Sequence, residues 1–332
     1  MSEERRGLWL GVVAYVLWGL FPLYWPLLEP AGAIEILAHR VLWSLVLMVG
    51  VLLLLRRVGT LRAIWAQPRI RYSMMGAGVV IGLNWGTYIW GVNNGHVVET
   101  ALGYYINPLV TVLLGVTVLG EHLRRWQWVA LAIGTGAVVV LTLELGRLPW
   151  IALILAFSFA LYGLLKKTAG TGPVEGLTYE GFVLAPIALA YVSWLSLAGQ
   201  AQAWSHGVDH VALLATTGLV TAIPLLCFAG AANRIALSTL GLLQYIGPTL
   251  QFLIGVLLYD EPMPAVRWAG FSLVWLALVV LTVDSVVAYR GRDTTSAADD
   301  DTLDAGASPR TPRGEAVEAD ALLEAGHQVS RQ

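Results

Sequence analysis

Most residues in this chain that could do chemistry sit inside apolar stretches, where a polar side chain is costly and its presence asks for a reason. Glu35 and His39 are four residues apart, so on a helix they face one way, with Trp43 below them and Arg40 beside them. A carboxylate and an imidazole placed like this could take up and release a proton near neutral pH, which makes them candidates for proton coupling. The plainer reading is structural. Glu35 lies near the start of its apolar run and can be solvated there, while Arg40 can snorkel to the interface.

A second set is aromatic and amide. Asn84, Trp85 and Tyr88 fall close together on one predicted helix, Tyr104 lies in the next apolar run, and Gln244 stands 140 positions after Tyr104. With Arg40 they form a candidate cavity wall suited to an amphipathic organic molecule, or to a cation held over a ring. Helix packing and interfacial aromatic belts are the competing explanation. Glu180 reads as an ion-pair partner of Lys166 or Lys167 rather than a proton relay, and Asn107 as a group that satisfies backbone opened by Pro108. Gly76, Gly78, Gly82 and Gly86 read as a surface for close helix packing.

The elements that must position these residues follow from composition. Of 332 residues, 57% are hydrophobic and 13% charged, with a mean hydropathy of +0.68. Soluble domains carry about 25% charged residues, so the chain reads as an all-α integral membrane protein. A single cysteine, Cys227, excludes an intramolecular disulfide. From Gly291 on, 4 basic and 9 acidic residues give a net −5, and the remainder carries +3. The segment 291–332 therefore reads as a disordered, acidic cytoplasmic tail. Arg5 and Arg6 precede a long apolar run without a small-residue cleavage site, which reads as a first transmembrane helix.

Ten apolar segments of roughly membrane-spanning length follow, near 7–28, 34–55, 72–92, 98–118, 126–143, 148–165, 176–197, 211–232, 237–258 and 266–289. With both termini inside, Arg and Lys of the loops fall almost wholly on the cytoplasmic face, leaving only Arg147 and Arg267 outside. Localisation in the inner or plasma membrane, as a multi-pass protein, follows from this reading.

A repeat organises the segments. Leu102, Tyr105, Ile106, Pro108, Gly115, Val116, Glu121 and Trp128 recur 140 positions later as Leu242, Tyr245, Ile246, Pro248, Gly255, Val256, Glu261 and Trp268. Pro108 and Pro248 each interrupt a helical apolar run, and such paired interruptions point to a substrate pathway. Five spans per half is odd, so the halves 7–147 and 148–290 are predicted to enter the membrane upside down relative to each other. Glu121 and Glu261 read as local caps at the repeat's charged elbow.

With the repeat in view, the chain resembles the EamA-type drug/metabolite transporter superfamily, and more narrowly the RarD proteins, named for chloramphenicol sensitivity. The resemblance rests on Ala14-Tyr15-Val16-Leu17-Trp18-Gly19-Leu20-Phe21-Pro22-Leu23-Tyr24-Trp25, Ala38-His39-Arg40, Asn84-Trp85-Gly86-Thr87-Tyr88 running on to Tyr104-Tyr105-Ile106-Asn107-Pro108, and Gln244-Tyr245-Ile246-Gly247-Pro248. It spans nearly all of 7–289. His122 stands where an arginine is expected, and the acidic tail lies outside the family's usual core. The resemblance implies a transporter and names no substrate.

Rival classes find less support. The chain has no His-Glu-x-x-His, no Gly-x-Ser-x-Gly elbow and no phosphate-cradling loop, so it reads as a non-enzyme with neither cofactor nor metal. A primary pump would need a nucleotide-binding domain. A proton-independent exchanger, a channel, or a sensor using the acidic tail stays open. The predicted partners are a small-molecule substrate and the lipid bilayer, not nucleic acid, and a homodimer is open. The reading is a secondary active transporter, an exporter of small amphipathic solutes.

Overall fold

The computed structural model describes residues 2–120, 122–235 and 237–305, so Glu121 and its predicted cap lie outside it. Two compact units separate, Met1–Thr282 and Val283–Gln332. The packing below belongs to the first.

Among the described residues, every regular element is helical: α1 (Glu3–Gly19), α2 (Ala33–Leu54), α3 (Pro68–Asn93), α4 (Val97–Leu119), α5 (Arg125–Leu145), α6 (Trp150–Ala169), α7 (Pro173–Leu197), α8 (Gly207–Ala232), α9 (Ile246–Leu257) and α10 (Ala265–Ala305), with shorter helical pieces between them. Helices are what an apolar sequence must form in hydrocarbon, because only they satisfy every backbone polar group within the segment. The stops are legible too. α4 and α5 end on Gly120 and Gly146 at φ 66° and 63°, left-handed positions that glycine adopts without strain.

Among the described residues, seven helices are long and apolar enough to cross a membrane, or eight if α1 and the bent segment after it form one span. Each of the ten apolar segments falls on a helix or a broken helix, but three depart from a simple span. α3 is diluted by Asn84, Trp85, Tyr88 and its glycines. The first segment breaks after Gly19 and turns by 45°, with Pro22 and Pro26 opening its two short continuations. The ninth breaks between Leu243 and Ile246, so Pro248 is the third residue of a new helix rather than a kink in a continuous one. Pro108 does lie inside an unbroken α4. Asn107 lies beside it, its Oδ1 buried and without a partner among the described residues. α10 continues beyond its membrane-length part, Ala265–Asp284, and the predicted tail from 306 onward lies outside the described residues.

α1 packs on α8 and α9, and α6 on α3 and α4. α2 packs on α7 and α8, α7 on α2 and α3, and α4 meets α9. Replacing each helix by the one five places along returns the same set of pairs. Two glycines make this concrete. A Cβ on Gly218 of α8 would meet the Trp43 carbonyl oxygen of α2 at 2.7 Å, while one on Gly78 of α3 would meet the Val183 Cβ of α7 at 3.5 Å. Both glycines and both partners are 140 residues apart. Gly82 and Gly86 likewise lie against Leu184 and Leu37, as the close-packing reading expects.

The exterior is apolar: Leu54, Leu143 and Leu197 are 87%, 77% and 89% exposed. Such a surface matches lipid and would be a liability in water.

Candidate functional site

α2 carries Glu35, His39 and Arg40 on its first two turns, and all three are buried. Arg40 lies seven residues into the helix, about 10 Å along its axis at 1.5 Å per residue. It does not snorkel to an interface: its side chain is enclosed, with the residue 3% exposed. The guanidinium lies 4.0 Å from the centre of the Trp85 ring, 5.1 Å from Trp25 and 5.8 Å from Phe21. Its Nε donates to Thr221 Oγ1 on α8 at 3.0 Å. That hydroxyl spends its own proton on the Thr217 carbonyl, 2.8 Å away, which leaves its lone pairs for the arginine.

The bend after α1 makes this possible. By turning the chain at Leu20 it lays Phe21 and Trp25 over α2, and Tyr24 joins them with its hydroxyl 2.7 Å from Thr216 Oγ1. The Tyr24, Tyr88 and Tyr104 phenols all lie within the electrostatic reach of the guanidinium. Tyr88 and Tyr104 stack edge to face at 5.6 Å, and the Tyr88 hydroxyl is buried with no partner among the described residues.

Magnitudes show what is unusual here. Taking an ion out of water costs several kcal/mol even after relaxation. A close, desolvated ring contact returns about 2 kcal/mol, and the two at more than 5 Å return less. Rings also accept no ordinary hydrogen bonds, and Arg40 has four N–H groups beyond Nε–H. No carboxylate pairs with it among the described residues. Three buried or half-buried carboxylates, by contrast, are answered by a base: Glu180 by Lys166 at 2.9 Å, Glu99 by Arg147 at 2.8 Å, and Glu144 by Arg267 at 3.0 Å.

Glu35 and His39 do share a face, but no hydrogen bond joins them among the described residues. Glu35 Oε1 accepts from Ala203 N at 3.0 Å, holding the short helix Gln202–Ser205. Among the described residues, His39 Nε2 is buried without a partner. Its electrostatic neighbour is His210 of α8, whose Nε2 is 3.0 Å from the Leu28 carbonyl and whose Nδ1 is likewise unpartnered among the described residues.

Of the aromatic and amide set, Trp85, Tyr88 and Tyr104 converge on Arg40. Asn84 is adjacent but fully engaged: its Nδ2 donates to the Leu155 carbonyl at 3.0 Å and Ser158 Oγ at 2.9 Å, and its Oδ1 accepts from Tyr104 at 3.2 Å. It clamps α3 to α6 rather than facing open space. Gln244 sits half-buried at the break before α9, and among the described residues no hydrogen bond or ring contact brings it to the Arg40 group. Of the two occupants the sequence allowed, an amphipathic molecule or a cation over a ring, the Trp85 face holds a cation from the chain itself, Arg40.

Sequence reasoning passed over Trp25, Thr221 and His210 as site residues. Trp25 belonged to the dense aromatic motif after Gly19, and the two prolines there were the available signal. Thr221 had none, being one polar residue of several in α8.

The described residues enclose cavities at both ends of the bundle's predicted orientation. One of about 480 Å³ is lined by Arg57, Gln67, Glu175 and Asn233 among others, another of about 200 Å³ by His96, Glu99, Arg147, Glu261 and Arg267. The first is bounded by loops that the sequence assigns to the cytoplasm, the second by loops it assigns outside.

A bundle of apolar helices with a lipid-matched exterior and a polar, aromatic-walled interior is a multi-pass membrane protein. The EamA-like transporter family matches residues 5–143. Protein RarD of Streptomyces exfoliatus is 56% identical over 298 residues, 90% of this chain and 95% of its own. An uncharacterized transporter, YojE, of Bacillus subtilis is 44% identical over 289 residues, covering 86% and 96%. A chloramphenicol-sensitive protein RarD of Pseudomonas aeruginosa is 30% identical over 294 residues, covering 87% and 98%. A solved crystal structure superposes with a TM-score of 0.54 at 19% identity, over 85% of this chain and 99% of the other, a likeness of fold alone. The chain belongs to the EamA-like transporter family, as a RarD-type member, and is a membrane transporter-like protein.

Proposed function

We propose that this protein is a secondary active transporter of the inner or plasma membrane that exports small amphipathic organic solutes. In this reading ten spans form two inverted halves of five, with both termini in the cytoplasm. The observation that carries it is the exchange of packing partners between halves, seen at residue level in Gly78 against Val183 and Gly218 against Trp43. Two packings that swap roles give two conformations of similar energy, opening to opposite sides. Arg40, Trp85, Tyr88 and Tyr104 form the solute contact. Resemblance to a chloramphenicol-sensitive relative supports a drug-like or metabolite-like cargo.

Proton coupling goes to His39, whose buried nitrogen, without a partner among the described residues, can gain and lose a proton, while Glu35 is occupied as a cap. The test is uptake of labelled amphipathic compounds, chloramphenicol included, into inside-out vesicles with and without a pH gradient. Uptake that collapses with an uncoupler is expected, and His39→Ala should flatten its pH dependence while Glu35→Gln leaves it unchanged. Counterflow that survives the uncoupler would replace this mechanism with exchange, and no movement of any compound would favour a sensor.

A further inference from the structure

We infer that Arg40 anchors a negatively charged group of the solute, a carboxylate or similar oxyanion, with the organic part lying against Trp85 and Trp25. The inference rests on the transporter reading and narrows its cargo to anions. Three observations on this one site carry it.

First, Arg40 is the buried cation without a carboxylate among the described residues, whereas Glu180, Glu99 and Glu144 each have a basic partner. Second, among the described residues only its Nε finds an acceptor, in Thr221, so the planar fork of the two Nη groups is left for a ligand. That fork matches the two oxygens of a carboxylate, which a point charge such as lysine would not. Third, the surroundings offer donors and rings, and among the described residues no carboxylate pairs with the guanidinium. The buried Tyr88 hydroxyl lacks a partner, and Trp85, Trp25 and Phe21 wall the guanidinium. A cationic solute would meet Arg40 where a ring face was expected, so the site selects against it.

The test is isothermal titration calorimetry of the full chain in lipid nanodiscs, with benzoate and indole-3-acetate set against their uncharged amides. Each acid is expected to bind at least tenfold tighter than its amide. Arg40→Gln should abolish that preference, and Arg40→Lys should keep part of it. Amides binding as tightly as the acids, failure of both acids to bind, or an Arg40→Gln variant that keeps the preference would overturn the inference. Should Arg40→Gln not fold, the acid-to-amide ratio of the wild type and a weakened ratio in Thr221→Val decide instead. The two readings fail separately. Acid-selective binding without counterflow in proteoliposomes removes the transporter reading and upholds the anion site, while transport of neutral solutes that Arg40→Gln leaves untouched does the reverse.

Discussion

Glu261, in the segment before α10, accepts the backbone N–H groups of both Val97 and Val98, the latter at 3.0 Å, and so caps the start of α4 from 164 residues away. Expected as a local cap at its own elbow, it ties the last two helices to the first half instead. A helix start leaves N–H groups unsatisfied, and an anion there also meets the positive end of the helix dipole. Glu261→Ala should therefore cost about 1–2 kcal/mol, read as a lower melting temperature in nanodiscs. Burial pushes the Glu261 carboxyl above the usual carboxylate range, against the pull of the two N–H groups. The folded protein thus holds this proton to a higher pH than the unfolded chain. Relative to Glu261→Gln, the wild type should lose stability as pH rises through that interval and level off above it.

Lys166 and Glu180 form the ion pair that sequence reasoning favoured, at 2.9 Å, with the Tyr162 hydroxyl also on the carboxylate at 3.3 Å. Glu180 is 1% exposed, so removing only the lysine strands a buried charge. Lys166→Met should cost about 3–5 kcal/mol, and Glu180→Leu in the same chain should restore most of it. Equal melting temperatures for wild type and Lys166→Met would show the carboxylate to be protonated or hydrated.

Glycines separate close contact from open surface. A Cβ on Gly103 of α4 would lie 2.8 Å from the Leu155 Cβ and 2.9 Å from the Ala152 carbonyl oxygen of α6, where backbone cannot yield cheaply. Gly103→Ala should destabilise by about 1–3 kcal/mol through forced separation of the helices. Gly136 of α5 has nothing within 4 Å of the same position. There alanine should be neutral or stabilise by about 0.5–1 kcal/mol, since a helical glycine carries excess unfolded-state entropy. Thermal unfolding of the two variants side by side checks both signs.

The contrast shows which features could be read without coordinates. Apolar runs bounded by Arg, Pro and Gly located the helices because hydrocarbon enforces one backbone solution. His39, Arg40, Trp85, Tyr88 and Tyr104 stood out because polar and aromatic groups deep in such runs need partners. What escaped was where each partner lies. Whether a proline bends, breaks or merely occupies a helix depends on what packs beside it, so Pro22, Pro108 and Pro248 gave three outcomes. The Arg40 to Thr221 bond joins residues 181 apart, and nothing local to either announces the other. Asn84 and Gln244 share a residue class, yet one is a buried clamp and the other lies half-buried at a helix break.

Asn84 and Tyr88 make opposite predictions one helical turn apart. Asn84 makes three hydrogen bonds across α3, α4 and α6, at 3.0, 2.9 and 3.2 Å. Asn84→Leu would leave the Tyr104 hydroxyl seeking a partner in an apolar interior, a loss of about 1–3 kcal/mol, while the Ser158 hydroxyl keeps its bond to the Leu155 carbonyl at 3.3 Å. Its effect should be on folding and only secondarily on any solute. Tyr88 is 2% exposed and its hydroxyl has no partner among the described residues. Tyr88→Phe removes a group that is already unsatisfied, so the melting temperature should hold or rise, while affinity for a solute seated against Arg40 should fall several-fold. Melting curves and solute titrations on the two variants separate the roles. If Tyr88→Phe melted below Asn84→Leu, the hydroxyl would be part of the scaffold and the site would lose its second donor.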